Sequence, residues 1–165
     1  MLWWPRQVLV DDLALLADLD AQIAAAEVQM ARLLPDTLFA PLTTVPGWGV
    51  VRAGNYAAAV GDPQRWPGAR QLYRASGLSP AQYESAGKRR DGTISREGSV
   101  ALRRALIDLG IGLWHADPAA RRYGQTLRAR GKKGGVIGCA MANRANKIAY
   151  ALVRDQTSYE PGRWA

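Results

Sequence analysis

Cysteine and histidine are almost missing from this 165-residue chain, which has one of each, Cys139 and His115. A disulfide framework and a cysteine-based zinc site are therefore excluded within one chain. A Ser-His-Asp triad would have to use His115, but Leu113-Trp114-His115-Ala116-Asp117-Pro118 reads as a helix end running into a turn. Carboxylates are scarce beyond residue 36, where only Asp62, Glu84, Asp91, Glu97, Asp108, Asp117, Asp155 and Glu160 occur. Metal-assisted phosphoryl transfer needs clustered carboxylates, and no pair among these has the spacing to share an ion. No stretch approaches the ~20 apolar residues that cross a membrane. Met1-Leu2-Trp3-Trp4-Pro5-Arg6 lacks the basic start and long apolar core of a signal peptide, so the expected location is cytoplasmic.

What the chain does have is positive charge, unevenly placed. The formal net charge is +8, yet residues 1–36 carry −4 and the remainder +12. A segment this basic suits a polyanion, nucleic acid first, because neutralising phosphates releases counterions; a merely solvated basic surface is the alternative. The hydrophobic fraction of 48% is that of a globular chain with a real core.

Helical periodicity dominates. Over residues 8–34, Leu16, Leu19, Ile23, Ala26, Met30 and Leu33 alternate spacings of three and four, an a/d seam that Pro35 ends. Its acidic outer face points to assembly, not to nucleic acid. Further helices are expected over 53–60, 68–75, 95–113, 118–130 and 136–154, with one more turn opening at Ser79-Pro80. Residues 156–165 are expected to fray. No period-2 alternation lasts, so the fold class is all-α. The organisation is a partial coiled-coil-like helix (1–36), a helical domain (37–155) and a flexible tail (156–165).

Three segments suit phosphate. Val45-Pro46-Gly47-Trp48-Gly49 between short helices has the pattern of a helix-hairpin-helix, in which Gly47 and Gly49 let backbone N–H groups of the second helix meet a phosphate oxygen. An ordinary glycine turn is the competing reading. Residues 84–93 read as a polar loop carrying Ser85, Lys88, Arg89 and Arg90, with Arg96, Arg103 and Arg104 following. Gly131-Lys132-Lys133-Gly134 is a second basic loop. A metal-free route to strand cleavage is attack by a serine hydroxyl, helped by cations that stabilise charge on the phosphoryl oxygens. Ser85 supplies the hydroxyl and its neighbours the cations; no residue stands out as the base, and a plain loop serine is the alternative.

Val45-Pro46-Gly47-Trp48-Gly49, Gly61-Asp62-Pro63-Gln64-Arg65-Trp66, Gly77-Leu78-Ser79-Pro80, Tyr83-Glu84-Ser85, Thr93-Ile94-Ser95-Arg96-Glu97-Gly98, Leu102-Arg103-Arg104-Ala105-Leu106 and Gly131-Lys132-Lys133-Gly134 follow one another in a fixed order. Over roughly residues 40–155 this series resembles the C-terminal serine-bearing domain of the insertion-sequence one-ten transposases. The resemblance implies a DNA recombinase guided by a structured bridge RNA, with Ser85 at the position of the catalytic serine. It also implies a composite site, completed by an N-terminal RuvC-like domain whose acidic quartet binds magnesium. That domain has no counterpart here, so the expectation is a transposase fragment that is not active alone and has no cofactor of its own. Its implied partners are DNA, guide RNA and a second copy or a full-length transposase. A non-catalytic helix-hairpin-helix binding module and an interaction fragment of a full-length transposase are the alternatives.

Overall fold

The computed structural model describes the backbone of residues 4–85 and 88–164, and side chains over 5–81 and 92–163. Six α-helices are present among these residues: α1 (Trp4–Leu33), α2 (Val50–Val60), α3 (Ala69–Ala75), α4 (Val100–Ala116), α5 (Pro118–Ala129) and α6 (Gly134–Asp155). A two-stranded antiparallel ribbon, β1 (Pro80–Ser85) and β2 (Lys88–Ile94), lies between α3 and α4. The fold is all-α with this one ribbon added.

Helix α4 is the axle. Leu102, Leu106, Leu109 and Leu113 recur every three or four residues, so they form one stripe, and all are buried. The stripe packs chiefly on α6, where Ile137, Met141, Ala145, Ile148 and Leu152 are buried in turn. Small residues permit the close approach: a Cβ on Gly110 would stand 2.7 Å from the backbone nitrogen of Ala142. On another side α2 contributes Ala53, Tyr56 and Val60 to the core. Trp48, buried just before α2, donates its indole N–H to Leu109 O at 2.8 Å.

Helix α1 is different. Thirty residues with proline only in the first turn extend about 45 Å at the usual helical rise. Only its C-terminal end meets the body, where half-buried Met30 lies against Gly54. Leu9, Leu13, Leu16, Leu19 and Ile23 are exposed, Leu16 and Ile23 each at 56%. The a/d seam exists, and among the described residues nothing covers it from Leu9 to Ile23.

Three local expectations are corrected. Ser79-Pro80 opens a strand, not a helical turn, and of the loop expected over 84–93 residues 84–85 and 88–93 are strand: the ladder pairs Pro80 with Ile94, Gln82 with Asp91, Tyr83 with Arg90, Glu84 with Arg89 and Ser85 with Lys88. Pro80 suits a first strand position because it has no N–H to give the ladder. The N-cap of α4 is Ser99, whose Oγ accepts from Leu102 N at 3.2 Å; Ser95 accepts from Glu97 N instead. Finally, the chain after Asp155 is tied down. Gln156 Nε2 donates to Leu38 O at 2.9 Å, Tyr159 N donates to Thr44 Oγ1 at 2.9 Å, and Tyr159 OH donates to Asp117 Oδ2 at 3.0 Å. A 3₁₀ turn follows at Pro161–Trp164.

Asp117 is buried and does double duty, since its Oδ1 also accepts from Ala120 N at 2.6 Å and caps α5. Burial first, then the bond to Asp117, pushes the Tyr159 hydroxyl up to about 12. A pKa raised in the folded state contributes stability that is complete below the ordinary phenol value of about 10 and is lost as pH rises through 12. Tyr159→Phe leaves a buried carboxylate oxygen unpartnered and is expected to cost about 1–3 kcal/mol. Urea unfolding at stepped pH checks both statements: the gap between wild type and variant should hold to pH 10 and narrow towards pH 12.

Candidate nucleic-acid interface

The ribbon is held to the body at its root. Beyond Ile94 the chain continues to pair with the segment after α3, Ser95 N donating to Ser79 O at 2.9 Å and Arg96 N to Gly77 O at 3.0 Å. Ser99 N then reaches Ala75 O at 2.9 Å. Two glycines make this possible. Gly98 has φ +140 and a Cβ there would overlap Ala75 O; Gly77 has φ +69 and a Cβ would lie 2.7 Å from Glu97 O. Arg96 is left-handed at φ 59, a conformation that side-chain-bearing residues seldom adopt.

Arg103 closes the junction. From the first turn of α4 its Nε donates to Ser76 O at 2.9 Å and its Nη2 to Arg96 O at 2.6 Å. The guanidinium is thus committed to backbone carbonyls on both sides of the ribbon's root. Ser76, fully buried, braces the same place by donating to Tyr73 O at 2.6 Å.

The other expected phosphate ligands are distributed over several surfaces. Ser85 and Lys88 form the ladder pair farthest from the root, with Arg89 and Arg90 next along β2; these residues are described in backbone alone. Ala86 and Gly87 lie outside the described residues. Arg96 and Arg104 are exposed near the root, whereas Arg103 is half-buried. Lys132 and Lys133 are exposed in the connection from α5 to α6, on which Lys133 is the N-cap.

The turn at 45–49 divides its two glycines. Gly47 has φ +80 and a Cβ would overlap Gly112 O, so it serves the approach of the turn to α4. Gly49 is the exposed N-cap of α2, and nothing would meet a Cβ there within 4 Å. The cation of that first turn, Arg52, donates to Asp108 Oδ1 and to Gly47 O, both at 3.1 Å. The element before the turn is a short 3₁₀ turn, Ala40–Thr44.

Helix α5 and the chain after it add a cationic surface. Residues 118–154 hold nine Lys and Arg and no Asp or Glu. Two aromatic rings sit beneath its arginines: Arg128 stands 5.8 Å over Trp114, and Arg144 stands 5.3 Å over Tyr123. Among the described residues no group of three His, Cys, Asp or Glu could hold a metal ion. His115 stacks on Trp114, and Cys139 is a half-buried free thiol. No helix among the described residues is long and apolar enough to cross a membrane.

The sequence pattern of the transposase IS116/IS110/IS902 family matches residues 40–125. The chain belongs to that family. An uncharacterized 43.6 kDa protein of insertion element IS110 from Streptomyces coelicolor is 34% identical over 84% of this chain and 35% of its own length. A probable family 20 transposase of Pseudomonas aeruginosa is 33% identical, over 89% of this chain and 45% of the relative. The transposase for insertion sequence element IS1328 of Yersinia enterocolitica is 28% identical, over 72% and 36%. The chain thus spans between about a third and a half of the length of the curated relatives it matches.

In this member of the IS116/IS110/IS902 family, the family match contains both the 45–49 turn and the whole ribbon with its root. Sequence reasoning passed over Arg70 and Arg74, two exposed cations four apart on α3 that stand at the same root. Their spacing put them on one helix face, but a seven-residue helix attracted notice only for its apolar side.

The glycines at the root make a sharp prediction for the transposase family chain. Gly98→Ala places a side chain where φ is positive and against Ala75 O, and is expected to cost about 2–4 kcal/mol or to detach the ribbon's root. Hydrogen exchange distinguishes this from general loss of stability: the amides of Ser95, Arg96 and Ser99 should lose protection before those of α4 and α6.

Proposed function

We propose that this chain is the strand-exchange module of an IS116/IS110/IS902 family transposase, acting on DNA with Ser85 as its nucleophile. The observation that carries the reading is the ribbon: the family's matched region includes a rigidly rooted hairpin with Ser85 and Lys88–Arg90 at the end away from the body. In the step proposed, Ser85 Oγ bonds to the scissile phosphorus and the bond from phosphorus to the deoxyribose oxygen breaks. The hydroxyl proton passes through a base to the departing oxygen. Lys88, Arg89 and Arg90 would neutralise charge gathering on the phosphoryl oxygens, and the cations of α5 and the 130–133 connection would hold the flanking DNA.

The resemblance to the family adds three partners to the proposal. A structured guide RNA selects the DNA, a RuvC-like acidic domain completes the site, and magnesium belongs to that domain.

The test is a denaturation-resistant adduct between this chain and DNA, formed with guide RNA and an intact family member present. Wild type should give the adduct and Ser85→Ala should abolish it. An adduct undiminished in Ser85→Ala assigns the nucleophile elsewhere. DNA binding without any adduct from wild type favours a non-catalytic binding module.

Assembly is proposed through α1. Helices in proteins draw most of their stability from packing an apolar face, and here the seam from Leu9 to Ile23 is exposed. The occupant proposed is a second copy of the chain or an intact transposase. Ile23→Asp should leave the melting temperature of the body unchanged and abolish co-purification with an intact family member. A variant that still co-purifies would rule out the seam as the contact.

A further inference from the structure

A cleft of about 880 Å³ opens at the root of the ribbon, between α3 and α6. Arg70 and Arg74 line it from α3, Asn143 and Lys147 from α6, and Ser79, Pro80, Ala81 and Ser95 from the two strands and their continuation. Among the described residues Glu97 is its one carboxylate. Arg70, Arg74 and Lys147 are exposed, and none has an ion pair among the described residues. This contrasts with the partnered Arg103 and Arg52 nearby in the sequence.

The walls are rigid. Asn146, buried on α6, donates from Nδ2 to Ala69 O at 2.6 Å, and Tyr73 OH donates to Cys139 O at 3.0 Å. Tyr150 OH donates to Trp66 O at 3.0 Å, fixing the chain that enters α3. Two bonds thus lock the short helix to α6 and a third fixes the chain entering it, so the backbone positions from which Arg70, Arg74 and Lys147 extend are set. Arg70 and Arg74 stand a helical turn apart, which sets charges in a row and not at a point. The volume is at the upper end of ordinary ligand pockets, far larger than one inorganic anion needs.

We propose that this cleft is a binding site for the phosphodiester backbone of one DNA strand, with Arg70, Arg74 and Lys147 as its phosphate ligands. It deepens the function proposed above and rests on it: the strand seated at the root would run along the ribbon towards Ser85. Ser79 and Asn143 supply neutral hydrogen bonds to the same backbone, whereas the Ser95 hydroxyl is committed to Gly77 O. Contacts of this kind position a strand and read no base.

The experiment is fluorescence anisotropy of a labelled 30-base-pair DNA duplex with the full chain, over a range of salt concentrations. The charge-matched control is R6Q/R32Q, which removes two cations from the acidic helix α1. R70Q/R74Q should weaken binding about tenfold or more at 150 mM salt and make the slope of log K against log salt shallower by about 1.8, whereas the control should not. Glutamine keeps helix propensity, and circular dichroism should show an unchanged fold. Should the double variant fail to fold, K147Q replaces it, with a slope shallower by about 0.9. If wild type binds and R70Q/R74Q matches R6Q/R32Q, the cleft is not the site while the wider function stands. If wild type binds no DNA, that function falls and the cleft assignment with it.

Discussion

At Gly110 the backbone of α4 comes so near α6 that a side chain would push into Ala142 N. That approach decides more than the packing of two helices. It seats the leucine stripe of α4 against α6, and so fixes where the first turn of α4 stands. Arg103 extends from that first turn to Ser76 O and Arg96 O. The ribbon's root is therefore referenced to the hydrophobic core through one guanidinium. A bulky residue at Gly110 would be felt in the aim of the ribbon as well as in stability.

The same dependence explains why α3 can be only seven residues long. Such a helix has little stability of its own, because nucleation costs more than a turn or two returns. Leu72, fully buried, and bonds from Asn146 and to Cys139 supply what its length cannot. A short helix fixed in this way presents Arg70 and Arg74 from a defined position, and a surface loop would not.

Residue patterns made the helices legible and the ribbon illegible, for a physical reason. Asp117 followed by Pro118 announces the start of α5 through its cap, and Gly61 announces the end of α2 through its positive φ. The strands of the ribbon are mostly polar or small and carry no lasting alternation that would mark a buried face; among their described side chains Ile94 packs on the core. Their register is carried by backbone bonds and by the root, both invisible in residue types. The candidate site shows the same division. Ser85 stood out because of the ordered motifs around it, not because of its neighbours' chemistry. Arg103 and Gly47 looked like phosphate ligands for good compositional reasons, yet one clamps carbonyls and the other admits α4. What separates a phosphate arginine from a structural one is whether carbonyls surround it, and that emerges only in three dimensions.

Charge in this chain is sorted by element. Helix α1 holds Asp11, Asp12, Asp18, Asp20 and Glu27 against Arg6 and Arg32, while residues 118–154 hold nine cations and no carboxylate. On the function proposed, the acidic helix would be repelled from a phosphate backbone, which would leave the apolar seam of α1 open while the body holds DNA. On that reading assembly and DNA contact would use separate surfaces, and occupancy of one would not compete with the other. In a reaction that brings several protein domains to the same DNA, that separation would let the complex form in either order.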